Sequence, residues 1–218
     1  MVEIRQRVAN GRGMYIAFEG IDGSGKSSRA REFHEGVLGR ESSMLTTEPS
    51  HGEIGQLLRR ALQSKTDIGG IDVLQDLFIL DRAHHQRSFV IPMLNRGWNV
   101  VSDRSMWSTL GYGVANGLDM GDLLMQHERK GIIPPDITFY IKVSPETGMA
   151  RTNRRGAEKE LFESLGMQCK VFTMYEKLSS EHSDSWVVID GEPEAQAVAR
   201  SIETAWKDML TRNGMKHQ

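Results

Sequence analysis

Five short apolar runs recur along the chain, and mixed or polar segments separate them. Each run is continuous rather than alternating and is rich in β-branched or aromatic residues, which predicts strands of a sheet covered on both faces. Because a helix-like segment lies between successive runs, we expect parallel strands and an α/β fold. The predicted strands are MYIAF (14–18), SSML (42–45), NVVS (99–102), ITFYIKV (137–143) and WVVI (186–189).

The intervening segments place apolar residues three and four positions apart, as in Leu74, Leu77 and Phe78, and this spacing predicts amphipathic helices. Pro92 falls where the third helix would otherwise continue. We therefore expect a break near Ser88 and a short new helix with proline in its first turn. The predicted helices cover 27–36, 53–63, 72–87, 162–178 and 193–210.

Composition limits the class of protein. Of the 218 residues, 39% are hydrophobic and 26% are charged, as in a globular protein, and we expect one domain over 14–218 preceded by a flexible extension, 1–13. A formal net charge of −2 argues against a general nucleic-acid binder, and no apolar run approaches membrane-spanning length. The single cysteine, Cys169, cannot form an intrachain disulfide, so we expect a cytoplasmic protein in which Cys169 is buried on a helix.

The stretch FEGIDGSGKSS carries the clearest chemistry. Gly20, Gly25, Lys26 and Ser27 satisfy GxxxxGK[ST], with a predicted strand before the loop and a predicted helix after it. Such a loop turns backbone N–H groups toward a phosphate, its lysine reaches the outer phosphates, and its serine can bind Mg²⁺. The predicted phosphate-binding residues are Gly20, Ile21, Asp22, Gly23, Ser24, Gly25, Lys26, Ser27 and Ser28.

Two further features point to a site beside this loop. The strand NVVS ends in Asp103, which is placed to hold Mg²⁺ through water together with Ser27. Arg104 follows at the carboxyl end of the same strand, where open α/β sheets bind ligands, and its guanidinium suits a phosphate monoester. Other arginines occur as Arg82 in DRAHH and as Arg151, Arg154 and Arg155 in MARTNRRG.

Taken in order, FEGIDGSGKSS, TTEP, LFILDRAHH, VVSDRS and PDITFYIKV resemble the thymidylate kinase family from about Met14 to Ile189. Asp22 within the loop and the DRAHH segment are the most family-specific parts. The resemblance implies a P-loop three-layer sandwich with a five-stranded parallel sheet and a mobile LID at about 151–165. It also implies a homodimer that uses ATP and Mg²⁺ to phosphorylate dTMP, giving dTDP and ADP.

The resemblance also implies roles for individual residues. Asp22 would face the 3′-hydroxyl of dTMP, Phe78 would stack on thymine, Arg82 would contact the base edge, and Arg104 would hold the acceptor phosphate. The other residues implied around dTMP are Glu48, Pro49, Ser108, Thr109 and Tyr112.

Catalysis in this family needs a positive charge from the phosphate loop or from the LID. Gly23 occupies the loop position, so the resemblance implies Arg154 or Arg155 beside Lys26 and Arg104. Ser105, Trp107 and the segment TTEPSHGE (46–53), where the family commonly has a glycine-rich, arginine-bearing run, depart from the family pattern, and we expect these departures to lie around the acceptor.

Two alternatives stay open. The altered acceptor segments permit a kinase for another deoxynucleoside monophosphate or for a deoxynucleoside. A non-catalytic nucleotide switch is a weaker alternative, because no Asn-Lys-x-Asp segment is present and a switch would not require Phe78 and Arg82.

Overall fold

A computed structural model describes residues 11–63, 66–154 and 161–212. Five strands form one sheet in the order β2-β3-β1-β4-β5, and every neighbouring pair is parallel. All five predicted strands are present, which confirms the α/β class. The strands are β1 (Tyr15–Glu19), β2 (Ser43–Thr47), β3 (Asn99–Asp103), β4 (Ile137–Lys142) and β5 (Trp186–Asp190).

Helices connect the strands. The described helices are α1 (Lys26–Glu32, continued by a π-helical turn, Phe33–Leu38), α2 (Glu53–Leu62), α3 (Ile71–His85), α4 (Ile91–Asn95), α5 (Met106–Ala115), α6 (Met120–Arg129), α7 (Pro145–Arg154), α8 (Leu165–Glu181) and α9 (Ala195–Arg212). None of these helices is long and apolar enough to cross a membrane.

Helices cover both faces of the sheet, and successive residues of β1 point to opposite sides. Ile16 and Phe18 belong to a core shared with Phe33 of the π-helical turn and Trp206 of α9. Tyr15 faces the other way, toward Leu94 of α4. The register aligns Phe18 with Asp103 of the neighbouring strand, so the turns after β1 and β3 meet at one edge of the sheet.

The structure differs from the predicted helices in two places. Helices α5, α6 and α7 were not predicted; α5 is buried along most of its length and therefore shows no amphipathic pattern. The expected break near Ser88 takes the form of a π-helical turn, Gln86–Val90, that joins α3 to α4. Such a widened turn accommodates Pro92, which lacks an N–H and lies in the first turn of α4 as predicted.

Three other expectations concern the chain ends, the LID and Cys169. The prediction that Cys169 is buried is wrong: it is exposed, one position after the buried Gln168 on α8. Residues 1–10 of the expected extension and residues 155–160 of the expected LID lie outside the described residues. Arg12, within the expected extension, forms an ion pair of 2.8 Å with Asp136.

Candidate active site

The phosphate loop lies between β1 and α1, and its backbone is pressed against α7. Gly23 has φ of 79°, and a Cβ at this position would lie 2.1 Å from the carbonyl oxygen of Gly148. No larger side chain fits there without moving α7. Lys26 is buried, and its Nζ lies 3.4 Å from the carbonyl oxygen of Ile21, whereas Ser27 and Ser28 are exposed.

Asp22, inside the loop, is the hub of a charged cluster. Its Oδ1 lies 2.5 Å from Nη2 of Arg104 and 3.5 Å from Nζ of Lys26. Its Oδ2 accepts hydrogen bonds from the Tyr112 hydroxyl at 3.1 Å and from Nε2 of Gln168 at 3.0 Å. Burial alone would raise the pKa of Asp22, but these partners lower it to about 2, so the carboxylate stays ionised.

Arg104 is positioned by the turn after β3. Its backbone N–H donates to the carbonyl oxygen of Phe18, and Nη1 donates to Oγ of Ser108 at 3.0 Å. The guanidinium carbon also lies 5.2 Å from the centre of the Tyr112 ring. A fixed cation is thereby held beside the phosphate loop.

Glu19, at the end of β1, binds Ser108, which is the hydrogen-bond partner of Arg104. This role of Glu19 was not predicted. The carboxylate is fully buried and accepts hydrogen bonds from the Ser105 backbone N–H (2.7 Å), from Oγ of Ser105 (2.8 Å), from Oγ of Ser108 (2.7 Å) and from the Tyr175 hydroxyl (2.8 Å). Burial raises the pKa of Glu19. The available signal was a carboxylate at the end of a wholly buried strand directly before the phosphate loop.

Gln168 of α8 was also missed, although it is fully buried and touches the loop. Its Oε1 accepts from the Asp22 backbone N–H at 3.0 Å, and its Nε2 donates to the Phe162 carbonyl at 2.9 Å as well as to the Asp22 carboxylate. The two bonds to Asp22 span 146 residues along the chain, so no local sequence pattern signals them.

A second network fixes Arg82 of α3, which is almost completely buried. Nε donates to Oε2 of Glu48 at 2.6 Å, and Nη1 donates to Oγ1 of Thr109 at 2.8 Å and to Nε2 of His127 at 3.0 Å. Because a carbonyl only accepts, Nδ1 of His127 carries the proton that is donated to the Leu123 carbonyl, and Nε2 is free to accept. Burial and then the charge of Arg82 lower the pKa of His127 to about 4.

The neighbouring aspartate of DRAHH anchors a loop. Asp81 accepts hydrogen bonds from the backbone N–H and from Oγ of Ser50, both at 2.6 Å. This holds the segment after β2, including Glu48 and Pro49, against α3. Within DRAHH, Asp81 therefore fixes the loop after β2, whereas Arg82 faces the cavity.

One cavity of about 240 Å³ gathers the predicted acceptor residues. Phe78 lies in its wall, half-buried, rather than in the interior of the core. All nine residues predicted around the acceptor line it: Asp22, Glu48, Pro49, Phe78, Arg82, Arg104, Ser108, Thr109 and Tyr112. The cavity also has five lining residues that were not predicted: Arg59, Leu62, Gln63, Gln75 and Phe162.

Two of the departures from the family pattern, Ser105 and Trp107, do not line this cavity, contrary to our expectation, whereas the TTEPSHGE segment contributes Glu48 and Pro49 to it. Ser105 caps the first turn of α5, where its Oγ accepts from the Trp107 backbone N–H, and it also binds Glu19. The Trp107 ring faces away from the cavity, 4.8 Å from the His182 ring and 5.4 Å from the Trp186 ring. Ser105 therefore caps α5, and Trp107 packs against other rings outside the cavity.

The predicted Mg²⁺-binding residues and the described arginines of the expected LID do not line the acceptor cavity. Asp103 ends β3, and its buried Oδ1 has no hydrogen-bond partner within the described ranges. Arg151 is bound to the carbonyl oxygens of Gly191 and Glu192, which ties α7 to the loop after β5. Arg154 is exposed at the end of α7, and Arg155 lies outside the described residues.

A strand–loop–helix unit with this glycine spacing, on a five-stranded parallel sheet with helices on both faces, defines a P-loop nucleotide-binding protein. The thymidylate kinase family model matches residues 18–202. The chain belongs to the thymidylate kinase family.

Curated relatives agree with the family match. The thymidylate kinase of Leptospira interrogans serovar copenhageni is 34% identical over 78% of this chain and 83% of its own length. The probable thymidylate kinase of Pyrococcus horikoshii is 32% identical over 81% of this chain and 88% of its own length. The thymidylate kinase of Ruegeria pomeroyi is 30% identical over 88% and 94%.

Proposed function

We propose that this protein transfers the γ-phosphoryl group of ATP to dTMP, giving ADP and dTDP for dTTP synthesis. The observation that carries the proposal is the cavity in which all nine predicted acceptor residues meet beside the phosphate loop. Membership of the thymidylate kinase family supports the same acceptor.

On the acceptor side, the roles follow from chemistry and position. Arg104 would bind the dTMP phosphate, Phe78 would stack on the base, and Arg82 would donate to its edge. Asp22, ionised and held by Tyr112, would accept the 3′-hydroxyl proton in a hydrogen bond. Because the acceptor phosphate is already ionised, the reaction needs positioning and charge stabilisation rather than a general base.

On the donor side, the loop N–H groups and Lys26 would hold the ATP phosphates. The residues present fit a Mg²⁺ ion: the unpartnered Oδ1 of Asp103 and the exposed hydroxyl of Ser27 supply the oxygen atoms that this cation prefers. Bound Mg²⁺ would neutralise charge on the transferring phosphates. Arg154 or Arg155 would add positive charge from the LID, whose closure would exclude water.

We also propose an oligomeric state and a cellular location for the enzyme. We infer a homodimer, because α3 carries the exposed apolar side chains Val73 and Leu80 seven residues apart, on one helix face. We infer a cytoplasmic location, because the single cysteine, Cys169, has no partner in this chain for a disulfide.

An ADP-release assay with Mg-ATP tests the proposal. The acceptors are dTMP, dUMP, dCMP, dGMP, dAMP and thymidine, and we expect the fastest release with dTMP. Fastest release with another deoxynucleotide or with thymidine would identify a different acceptor for the same cavity. ATP binding without transfer to any acceptor would indicate a nucleotide-binding switch.

A further inference from the structure

Gln75 of α3 carries a buried amide whose hydrogen-bonding capacity is unused among the described residues. Its side chain is only 1% exposed, yet neither Oε1 nor Nε2 has a partner in any of the three described stretches of the chain. The other two buried glutamines differ. Gln86 exchanges two hydrogen bonds with the Ile133 backbone, and both amide ends of Gln168 are bonded. Since buried polar groups are normally paired, we expect the amide of Gln75 to form hydrogen bonds with a bound ligand.

The position of Gln75 shows where that ligand binds. The residue lines the acceptor cavity, three positions before Phe78 and seven before Arg82, so all three lie on one face of α3. Its methylene stem lies beside Gly113 of α5, where a Cβ would be 3.7 Å from Cγ of Gln75. The stem is thus packed against α5, and the amide is the remaining part of a residue that lines the cavity.

The neighbouring Arg82 limits the chemistry of a ligand in this place. Nε and Nη1 of Arg82 are committed to Glu48, Thr109 and His127, and no hydrogen bond within the described residues uses Nη2. Arg82 therefore offers the cavity a donor only, whereas Gln75 offers one donor and one acceptor. Because the unpartnered amide can turn either its oxygen or its nitrogen toward Arg82, the two side chains can present donor, acceptor and donor along one wall.

That order is the complement of a 2,4-dioxopyrimidine, whose edge presents O4, N3–H and O2 as acceptor, donor and acceptor. We propose that Gln75 is a specificity-determining residue that accepts the N3–H of the base and donates to an adjacent carbonyl. A 4-aminopyrimidine would instead turn an N–H group toward Arg82 and an unprotonated N3 toward Oε1 of Gln75. This inference rests on the proposed function and adds to it the residue that reads the imide.

The test compares the same substitution at two buried glutamines. Gln75→Met and Gln86→Met remove amides of equal size: the first has no partner in the described residues and belongs to a residue that lines the cavity, and the second is paired and belongs to a residue that does not line it. For Gln75→Met we expect an unchanged or higher melting temperature, a KM for dTMP raised about tenfold or more, and kcat nearly unchanged. For Gln86→Met we expect the opposite pattern, a lower melting temperature with an unchanged KM.

A second readout uses 5-methyl-dCMP, which keeps the methyl group of dTMP but carries the 4-amino edge. The ratio of kcat/KM for dTMP to that for 5-methyl-dCMP should fall about tenfold in Gln75→Met. An unchanged KM and ratio, or a loss of melting temperature like that of Gln86→Met, would overturn the role of Gln75 but leave dTMP as the acceptor. Wild-type protein that does not use dTMP would overturn both proposals. If Gln75→Met does not fold, Gln75→Glu keeps the shape, removes the donor, and is expected to give the same rise in KM.

Discussion

Arg104 holds a backbone conformation that is costly for a residue with a side chain. Its φ of 76° lies in the left-handed region, which costs about 1–2 kcal/mol for L-residues. The hydrogen bond from its backbone to Phe18 and the ion pair with Asp22 offset this cost. The strained turn directs the guanidinium across the end of the sheet toward the phosphate loop, which is where an acceptor phosphate would lie.

Arg104→Ala should therefore reduce catalysis while the fold survives. We expect kcat/KM for dTMP to fall by about 10²–10³, because a preorganised cation facing the reacting phosphate is lost. Steady-state kinetics and thermal melting measure the two effects. Arg96→Ala, which removes an exposed arginine after α4, is the matched control and should leave both unchanged. Near-wild-type turnover in Arg104→Ala would contradict the acceptor-phosphate role.

His127 makes folding sensitive to pH. Its folded-state pKa of about 4 lies below the value of about 6.5 for an unfolded histidine, so the unfolded chain binds the extra proton first as the pH falls. The stability contribution is therefore complete above about pH 6.5 and is lost progressively between about pH 6.5 and pH 4. The physical causes are the burial of the imidazole and then the charge of Arg82, because protonated Nε2 would face its guanidinium inside the protein.

His127→Gln should weaken this dependence, because glutamine keeps an acceptor for Arg82 and does not titrate. Between pH 7 and pH 5 the wild type should lose about 2 kcal/mol more unfolding free energy than the variant. Urea unfolding of both proteins at pH 7 and at pH 5 measures this difference in unfolding free energy. His84→Gln, which changes an exposed histidine on α3, should keep the wild-type dependence. Equal slopes for His127→Gln and the wild type would contradict the burial of a neutral imidazole.

At the scale of elements, sequence patterns predict some placements and not others. Helical spacing puts Phe78 and Arg82 on one face of α3, and the position of Asp103 at the end of an apolar strand predicts a site beside the phosphate loop. The exposure of Cys169 depends on which face of α8 meets the sheet, which the weakly amphipathic sequence does not specify. The contact of Gln168 with the loop depends on the tertiary packing of α8, so it could not be predicted from the sequence.

The contact between α7 and the phosphate loop is another feature that only the packing reveals. A Cβ at Gly148 would lie 2.6 Å from the carbonyl oxygen of Asp22 and 3.0 Å from Cδ1 of Ile21. Gly148→Ala should thus push the loop away from α7, with a loss of about 1–3 kcal/mol in unfolding free energy and a raised KM for ATP.

The matched control for this substitution is Gly166→Ala on α8, where a Cβ would meet no atom within 4 Å. Because Gly166 lies in the first turn of α8, the substitution should leave the stability unchanged or raise it by less than the ~0.5–1 kcal/mol of a mid-helix position. Urea unfolding and ATP-dependent kinetics compare the two variants. If Gly148→Ala were as stable and as active as Gly166→Ala, the close contact would have no energetic consequence.

At the scale of the whole molecule, α3 separates two surfaces. Gln75, Phe78 and Arg82 face the cavity, and at about 100° per residue Val73 and Leu80 point in nearly the opposite direction. Those two side chains are 41% and 39% exposed. An apolar surface behind the substrate helix is suited to contact with a second copy of the chain.

Leu80→Glu should convert a dimer into a monomer, because a carboxylate in the apolar interface would be desolvated on assembly. Light scattering after gel filtration should give twice the chain mass of 24.5 kDa for the wild type and one chain mass for the variant. Val188→Glu, at a half-exposed apolar position on the edge strand β5, is the matched control and should remain dimeric. Because the nine acceptor residues belong to one chain, the Leu80→Glu monomer should retain activity. A wild-type protein of one chain mass would contradict the dimer, and a dimeric Leu80→Glu would place the interface elsewhere.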